Sequence, residues 1–291
     1  EIVAIKNVAD KKLLRGATLF VTLEPCCHAG KTPPCTDAII QAGIKKVVYG
    51  MRDPFKKVNG KGEKTLRKAG IEVEQIRKTD PLYSEIRTLN QPFIKWATTS
   101  LPFVTLKAGM SLDGRIATRK RISKWITSED ARKDARLERS KHDAIIVGAG
   151  TVAADNPELA AHGAYTKKKL LRVIIDPELS SNVNAKVFRD KHVFVATTQR
   201  ASEKRRAAFE KKGIAYKIFG TQSVSILELL RYLGSIDIQS VYVEGGSSVH
   251  GSFCDAALKD NCIIDQLIFY IAPKIIGGAN ALPVIGGGGA G

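Results

Sequence analysis

Residues 22–35 hold three cysteines and a histidine within fourteen positions, directly after an apolar segment. Cys26 follows that segment, which we predict to be a β-strand. Cys35 begins a predicted helix, whose N-terminus favours the thiolate form of a cysteine. Thiolates and imidazoles are the ligands that tetrahedral zinc takes in proteins, and a catalytic zinc site keeps one position for water. The stretch therefore predicts a catalytic metal site.

A second group of residues suited to chemistry lies further along the chain and is rich in glycine. Glu244-Gly245-Gly246-Ser247 follows a predicted strand and precedes a predicted helix. Such a turn lets backbone N–H groups approach the pyrophosphate of a nucleotide at a helix N-terminus. None of the predicted strands is followed by the Gly-x-Gly-x-x-Gly fingerprint of the Rossmann fold. We therefore predict a nucleotide site of another fold, for which Trp125 offers a flat apolar face.

The composition is that of a globular protein, with 44% hydrophobic and 26% charged residues. No apolar run approaches the about 20 residues that span a bilayer, and the first residues do not resemble a secretory signal. Three of the five cysteines are clustered, which indicates a metal site in a reducing compartment rather than a disulfide framework. We expect a cytoplasmic protein that does not bind membranes.

The chain carries a formal net charge of +17. Its lysines and arginines are spread along the sequence, which favours a surface that attracts phosphorylated small molecules over a face that binds nucleic acid. A deaminase acting on the bases of nucleic acid stays open as an alternative, because the positive charge would suit that partner.

The hydrophobic pattern predicts an α/β chain of two domains. The first part alternates strand and helix in the order β-α-β-α-β, which is typical of a layered unit with a mainly parallel sheet. Strands and helices continue after residue 102, with a strand predicted over residues 171–175, a helix over residues 203–211 and neither over residues 215–218. Residues 79–92 are polar and contain two prolines, so they predict a hinge. The expected domains are residues 1–90 and 91–291.

Both ends are expected to be cut from a longer protein. The first predicted helix, over residues 1–9, has no N-terminal cap. The glycine-rich residues 286–291 follow an apolar segment without a closing element. We therefore expect a missing segment at each end.

The cysteine stretch resembles that of the bifunctional riboflavin-biosynthesis deaminase/reductase family. The family's pattern is His-Ala-Glu, then Thr-Leu-Glu-Pro-Cys-x-His-x-Gly-[Arg/Lys]-Thr-Pro-Pro-Cys, then Asp-Pro. This chain has Thr22-Leu-Glu-Pro-Cys26-Cys-His-Ala-Gly-Lys31-Thr-Pro-Pro-Cys35, followed by Asp53-Pro54 and Gly60-Lys-Gly62. The resemblance implies an α/β fold in which a cytidine-deaminase-like domain is followed by a dihydrofolate-reductase-like domain.

By this resemblance the first domain is a zinc deaminase. Glu1 stands where the family has its catalytic, proton-carrying Glu, and Cys26 and Cys35 match the two thiolate ligands of the metal. The zinc-binding His of the family's pattern would precede residue 1. The implied substrate is a diamino-hydroxy-pyrimidine carrying a ribosylamino 5-phosphate. Its implied contacts are His28, Lys31 and Asp53.

The second half resembles the reductase of the same family over five pieces in the same order, residues 107–114, 123–128, 148–151, 155–157 and 243–246. The implied reaction is hydride transfer from NADPH, which converts the ribosyl group to ribityl. The implied cofactor contacts are Gly109, Trp125, Thr151, Asp155, Gly246, Ser247 and Ser248. The implied substrate contacts are Lys107, Ser123, Arg139, Leu159, His162 and Glu244.

The chain departs from the family's pattern at two positions. Phe55 stands where the family often has Asn, and His162 stands where it usually has an Arg for the substrate phosphate. Because of His162, and because the zinc-binding His is expected before residue 1, a degenerate member that keeps the fold but has lost one or both activities is also considered. The leading interpretation is a bifunctional enzyme that uses Zn²⁺ and NADPH and binds a phosphorylated pyrimidine, not nucleic acid. Whether it forms homo-oligomers is left open.

Overall fold

The computed structural model describes residues 1–29, 33–55 and 58–289. Two compact units are present, Glu1–Thr99 and Ser100–Gly291, and each has a parallel sheet of its own. Among the described residues, no helix is both long enough and apolar enough to cross a membrane.

The first unit is built on a three-stranded parallel sheet in the order β1-β2-β3. The strands are β1 (Thr18–Leu23), β2 (Lys46–Met51) and β3 (Glu72–Gln75). The helices are α1 (Ile2–Asn7), α2 (Cys35–Gln41), α3 (Lys61–Lys68), α4 (Pro81–Leu89) and α5 (Gln91–Thr99), and a short 3-10 helix covers Lys11–Leu14. The predicted order β-α-β-α-β is confirmed by β1, α2, β2, α3 and β3.

The core of this unit holds α2 and α3 against the central strand. Ile39 of α2 and Leu66 of α3 are fully buried, as are Val47 and Tyr49 of β2. A strand buried on both faces is expected to be continuously apolar, and β2 has that character. Because α2 packs here, its first residue, Cys35, is held at the end of the sheet where β1 stops.

The segment predicted as a hinge is helical. Asp80 caps α4 by accepting the N–H of Leu82 at 2.9 Å, and Pro81 occupies the first helical position, where its fixed φ is suitable. Pro92 lies in the first turn of α5, where a missing N–H removes no helical hydrogen bond. The prediction of a hinge was wrong because both prolines start helices here, and the first compact unit extends to Thr99.

The second unit contains a seven-stranded parallel sheet in the order β11-β4-β10-β6-β7-β8-β9 and an antiparallel pair, β5 with β12. Its strands are β4 (Phe103–Ser111), β5 (Arg115–Ala117), β6 (Ala144–Gly148), β7 (Leu171–Ile175), β8 (Val193–Thr197), β9 (Ala215–Ile218), β10 (Ser240–Val243), β11 (Gln266–Ala272) and β12 (Leu282–Pro283). Its helices are α6 (Glu129–Lys141), α7 (Ala149–Asp155), α8 (Glu203–Lys211), α9 (Ile226–Ser235) and α10 (Ser247–Ala257), with 3-10 helices at Gly163–Tyr165 and Lys186–Phe188.

The two faces of strand β4 differ, because one is apolar and the other carries polar side chains. Val104, Leu106 and Ala108 are buried, and the first two belong to the core that contains residues of α9 and α10. The alternate residues of a strand face the other way. That face is covered by α6, since His142, directly after α6, contacts the Thr105 hydroxyl at 3.0 Å. The polar face of β4 therefore presents its side chains towards α6.

Asp113 ties the turn after β4 to the loop that follows β11. Its carboxylate accepts the Ser111 hydroxyl at 2.6 Å and the backbone N–H groups of Ile276 and Gly277 at 3.0 and 2.9 Å. These donors, the Ser111 hydroxyl first, lower the pKa of Asp113 to about 2. Asp113 therefore stabilises the fold as a charged group.

We expect Asp113→Asn to lower the urea midpoint of unfolding at neutral pH. An aspartate in an unfolded chain has a pKa of about 3.9. Because the folded value is lower, the stabilisation is complete above about pH 4 and is lost as the pH falls towards 2. Urea unfolding at about pH 6 and about pH 3 should show a difference from wild type that shrinks at the lower pH. Asp130→Asn, on an exposed carboxylate, controls for the change in net charge. A difference that is equal at both pH values would contradict the prediction.

Candidate active sites

Cys26 and Cys35 meet where β1 ends and α2 begins. The backbone N–H of Cys35 donates to Cys26 Sγ at 3.3 Å, and the N–H of Thr36 donates to the Cys26 carbonyl at 3.1 Å. Burial, then the hydrogen bond with the Cys26 thiol and the charge of Glu1, raise the pKa of Cys35 to about 12. The structure therefore brings together the three residues predicted for deaminase chemistry.

A zinc ion fits this thiol pair in part. A coordinated divalent cation deprotonates thiols, so it would convert the hydrogen-bonded pair into two thiolates. Two thiolates supply half of a tetrahedral site. Within residues 1–29, 33–55 and 58–289, no group of three or more His, Cys, Asp or Glu side chains is arranged to hold a metal.

Glu24 holds the segment that precedes Cys26, a role that sequence analysis missed. Its carboxylate is 2% exposed and accepts the N–H groups of Gly60 at 2.8 Å, Glu63 at 3.1 Å and Asp53 at 3.4 Å. It therefore caps α3 from a distant part of the chain. A Cβ on Gly62 would lie 2.0 Å from the Pro25 carbonyl oxygen, so α3 packs directly on this segment.

Aromatic rings stack on His28 in the segment after the first thiol. The His28 and Phe55 ring centroids are 6.3 Å apart, and Phe55 stacks on Trp96 at 6.3 Å with a 9° interplanar angle. Nδ1 of His28 is buried without a hydrogen-bond partner. Phe55, where the family often has Asn, therefore positions the His28 ring. Lys31, also predicted as a substrate contact, lies outside the described residues.

Asp53 lies buried beside this stack. Its carboxylate accepts the N–H of Phe55 at 2.8 Å. Burial raises the pKa of Asp53, and this hydrogen bond and the nearby His28 oppose the rise. Asp53 and His28, both predicted as substrate contacts, are thus neighbours.

In the second unit, the predicted substrate contacts converge on the face of the sheet beneath α6. Arg139 of α6 and Glu244, directly after β10, form an ion pair at 2.9 Å in which both side chains are 12% exposed. Arg139 also donates to the carbonyl of Ala160 at 3.4 Å. The neighbouring Leu159 is buried and has a φ of 56°. Residues 139, 159 and 244 are therefore assembled by tertiary structure.

His162 joins this cluster through the backbone and through charge. Its N–H donates to the Ser140 hydroxyl at 2.8 Å. Burial, and then the positive charges of Arg139 and Arg136, lower the pKa of His162. An anionic group placed among these side chains would favour the protonated imidazole.

Lys107 lies on the polar face of β4 and contacts a tyrosine that sequence analysis left without a role. Its Nζ is 5.7 Å from the centroid of the Tyr270 ring. The Tyr270 hydroxyl donates to Asp134 Oδ2 at 2.6 Å. Tyr242 of β10 is fully buried. No sequence motif marks these aromatic residues, because their proximity depends on the order of the strands.

An ion pair links the predicted cofactor contacts that precede α6 in the chain to those that follow it. Lys124 and Asp155 are 3.3 Å apart, which holds the loop with Ser123 and Trp125 beside α7, the helix that carries Thr151. The Trp125 side chain is 64% exposed, with the Arg132 guanidinium 4.2 Å from its ring centroid. An exposed aromatic face is therefore available to a nucleotide.

Gly109 of β4 lies under the same loop. A Cβ there would be 3.2 Å from Cγ2 of Thr127. Thr127 also borders a cavity of about 580 Å³ that Tyr270 helps to line. The glycine therefore allows a close approach between strand and loop.

The glycine turn between β10 and α10 leaves open space at a helix N-terminus. A Cβ on Gly245 would lie 2.4 Å from Cβ of Val249, whereas a Cβ on Gly246 would meet nothing within 4 Å. Ser247 is buried and its carbonyl accepts the N–H of Gly286 at 3.0 Å, while Ser248 is exposed. The first N–H groups of a helix have no partner within it. The turn therefore fits a nucleotide phosphate, as NADPH requires.

A unit with a thiol pair at a helix N-terminus, followed by a larger unit with a glycine turn suited to a nucleotide, is the arrangement expected of a deaminase–reductase enzyme. Residues 1–51 match the cytidine and deoxycytidylate deaminase zinc-binding region. Residues 102–290 match the RibD C-terminal domain. The chain belongs to the RibD family of riboflavin-biosynthesis proteins.

Individual relatives agree with that membership. Riboflavin biosynthesis protein RibD of Bacillus amyloliquefaciens is 45% identical over 279 residues, which are 95% of this chain and 73% of the relative. The solved Acinetobacter baumannii RibD superposes with a TM-score of 0.80 at 33% identity, covering 99% of this chain and 77% of that one. A Thermotoga maritima diaminohydroxyphosphoribosylaminopyrimidine deaminase/5-amino-6-(5-phosphoribosylamino)uracil reductase gives 0.73 at 37% identity, covering 97% and 74%.

These matches confirm the predicted family, the α/β fold class and the type of enzyme. A bifunctional deaminase and reductase of riboflavin biosynthesis, with Zn²⁺ and NADPH as cofactors, is what the family assigns. The roles of individual residues stay predictions.

Proposed function

We propose that the Glu1–Thr99 unit deaminates a phosphoribosylamino-pyrimidine with the help of zinc, and that the Ser100–Gly291 unit reduces its ribosyl group with NADPH. The observation that carries this proposal is the hydrogen bond from the backbone N–H of Cys35 to Cys26 Sγ at 3.3 Å, close to the charge of Glu1, in a chain of the RibD family. A cytoplasmic location and a phosphorylated pyrimidine as the partner belong to the same proposal.

In the deaminase unit, Cys26 and Cys35 hold the metal. Zinc, when bound, supplies Lewis-acid activation of the water that hydrolytic deamination consumes. Glu1, whose charge acts on Cys35, would accept a proton from the attacking water and pass it to the leaving amine. His28 and Asp53 orient the pyrimidine ring. Lys31 binds the phosphate of this substrate.

In the reductase unit, NADPH supplies the hydride. The open turn at Gly246 receives its pyrophosphate through the first N–H groups of α10, including those of Ser247 and Ser248. Trp125 packs on the nucleotide, whose remaining contacts are Gly109, Thr151 and Asp155.

The substrate of the reductase binds on the α6 side of the sheet. The phosphate is held by Arg139 and His162, because a guanidinium binds it in bidentate fashion. Glu244 is paired with Arg139 at 2.9 Å, so it keeps that guanidinium in place until the phosphate arrives. Lys107 contacts a ribose or phosphate oxygen, and Ser123 and Leu159 complete the site.

The experiment is to supply the pyrimidine substrate with NADPH and to measure ammonia release and NADPH oxidation separately. We expect both ammonia release and NADPH oxidation. Ammonia without NADPH oxidation, or neither product, would instead favour a member that has lost one or both activities. Binding of RNA that weakens steeply with salt, without either reaction, would favour a nucleic-acid enzyme.

We expect Cys26→Ser and Cys35→Ser each to weaken zinc binding by at least about tenfold, since even the loss of a residue that only supports a metal ligand costs that much. Titration of zinc against a competing chelator measures the affinity. Cys262→Ser, on an exposed cysteine of the second unit, is the control and should bind zinc as wild type does. Equal zinc affinity in all four proteins would exclude the thiol pair as the metal site.

A further inference from the structure

We infer that Tyr270 and Asp134 are positioning residues of the reductase site, and that together they hold the ammonium group of Lys107 towards the substrate. The inference rests on the proposed reductase function. Tyr270 and Asp134 act through Lys107 and do not themselves react.

The first observation is the hydrogen bond between strand and helix. Tyr270, on β11, donates its hydroxyl proton to Asp134 Oδ2, on α6, at 2.6 Å. Burial and this carboxylate raise the pKa of Tyr270, so the phenol stays protonated and stays a donor. The ring is therefore held in one orientation from both ends, by the strand backbone and by the helix.

The second observation is the position of Lys107 over that ring. Its Nζ lies 5.7 Å from the ring centroid, which is within the reach of a cation–π contact. A phenol that donates to a carboxylate has a more electron-rich ring, because the bond draws its proton towards the carboxylate. The negative charge of Asp134 therefore strengthens the attraction of the ring for Lys107.

The strand register places Lys107 beside the substrate cluster. Lys107 pairs with Ile268 of β11, and its neighbour Leu106 pairs with Val243 of β10. Glu244 follows Val243 directly, so it comes alongside Lys107 on the adjoining strand. Lys107 thus lies between the tyrosine on one side and the Arg139–Glu244 pair on the other.

An aromatic partner leaves the charge of Lys107 available. Within the part of the chain that the structure describes, Lys107 forms no ion pair with a carboxylate. A carboxylate in contact with the ammonium would partly neutralise it, as Glu244 does for Arg139. A ring fixes the position of the cation without neutralising it, which suits a group that must bind a phosphorylated molecule.

Kinetics of two substitutions at Tyr270 test this role. Tyr270→Leu removes both the ring and the hydrogen bond, and we expect KM for the phosphorylated substrate to rise about two- to fivefold, the size of a cation–π contact at a solvent-accessible site. Tyr270→Phe keeps the ring but loses the hydrogen bond to Asp134, so it should recover only part of that loss. KM for NADPH should not change in either variant.

The matched control is Tyr216→Leu. Tyr216 also donates to a carboxylate, that of Glu210, at 2.6 Å in the same unit, but it lies far from Lys107 in the order of the strands. It should have wild-type kinetics. In a Lys107→Ala background, Tyr270→Leu should add no further effect. A wild-type KM in Tyr270→Leu, a parallel rise of KM for NADPH, or full additivity with Lys107→Ala would each overturn the inference.

A measurement of the contact itself keeps the inference testable even if the enzyme does not turn over. Lysine side chains carrying ¹³C-methyl groups give NMR signals, and the signal of Lys107 is identified by its loss in Lys107→Arg. We expect a ring-current shift of that signal in wild type and in Tyr270→Phe, and its disappearance in Tyr270→Leu. The same chemical shift in all three proteins would refute the contact. Absence of NADPH oxidation in wild type would refute only the proposed function.

Discussion

Glu24→Ala is expected to lower the free energy of unfolding of the first unit by about 3 kcal/mol. Three backbone N–H groups, those of Asp53, Gly60 and Glu63, would lose their acceptor. Each buried donor left without a partner costs about 1–3 kcal/mol, and a cavity admitting water would recover part of the total. Because Glu24 directly precedes Pro25-Cys26, the thiol pair should also bind zinc more weakly.

Urea unfolding can be followed for this unit alone. Trp96 lies within the first unit and the other tryptophan, Trp125, lies within the second, so a Trp125→Phe background reports unfolding near Trp96. Glu85→Ala, on an exposed glutamate of α4, is the control and should cost less than about 0.5 kcal/mol. Equal unfolding curves for the Glu24 and Glu85 variants would show that Glu24 does not hold the thiol loop.

Gly245→Ala is expected to lower the stability of the second unit and Gly246→Ala to raise KM for NADPH, although the two residues are adjacent. A Cβ at Gly245 would lie 2.4 Å from Cβ of Val249, and Val249 belongs to the main core of the second unit. The turn and α10 must therefore shift apart, at a cost of about 1–3 kcal/mol, as for other overpacked sites. Urea unfolding followed by Trp125 fluorescence in a Trp96→Phe background measures the loss.

Gly246→Ala should leave the stability unchanged, because its Cβ would enter open space. That space is where the proposed pyrophosphate approaches the helix N-terminus, so KM for NADPH should rise. Each variant is the control for the other. If Gly246→Ala left KM for NADPH unchanged, the cofactor would not bind at this turn. If Gly245→Ala were as stable as wild type, the tight contact with Val249 would not limit the turn.

The local patterns of the sequence were sufficient for most of the fold. Helix α8 and strand β7 have the predicted bounds, Glu203–Lys211 and Leu171–Ile175, because caps and apolar periodicity act over a few residues. The missed strand β9, Ala215–Ile218, is mostly exposed, so it has little apolar pattern to detect. The predicted hinge failed for a related reason, since a proline marks the start of a helix as readily as a break.

By itself, the sequence determined the chemistry that this protein can carry: two thiols at a strand end and a helix start, a glycine turn before a helix, and membership of a riboflavin-biosynthesis family. These are short motifs whose residues are placed by local structure. Only the tertiary structure decided how Glu24 caps a distant helix, how Arg139 meets Glu244, and how Tyr270 connects Asp134 with Lys107. Such contacts join residues far apart in the chain, and they depend on strand order and register, which no local spacing records.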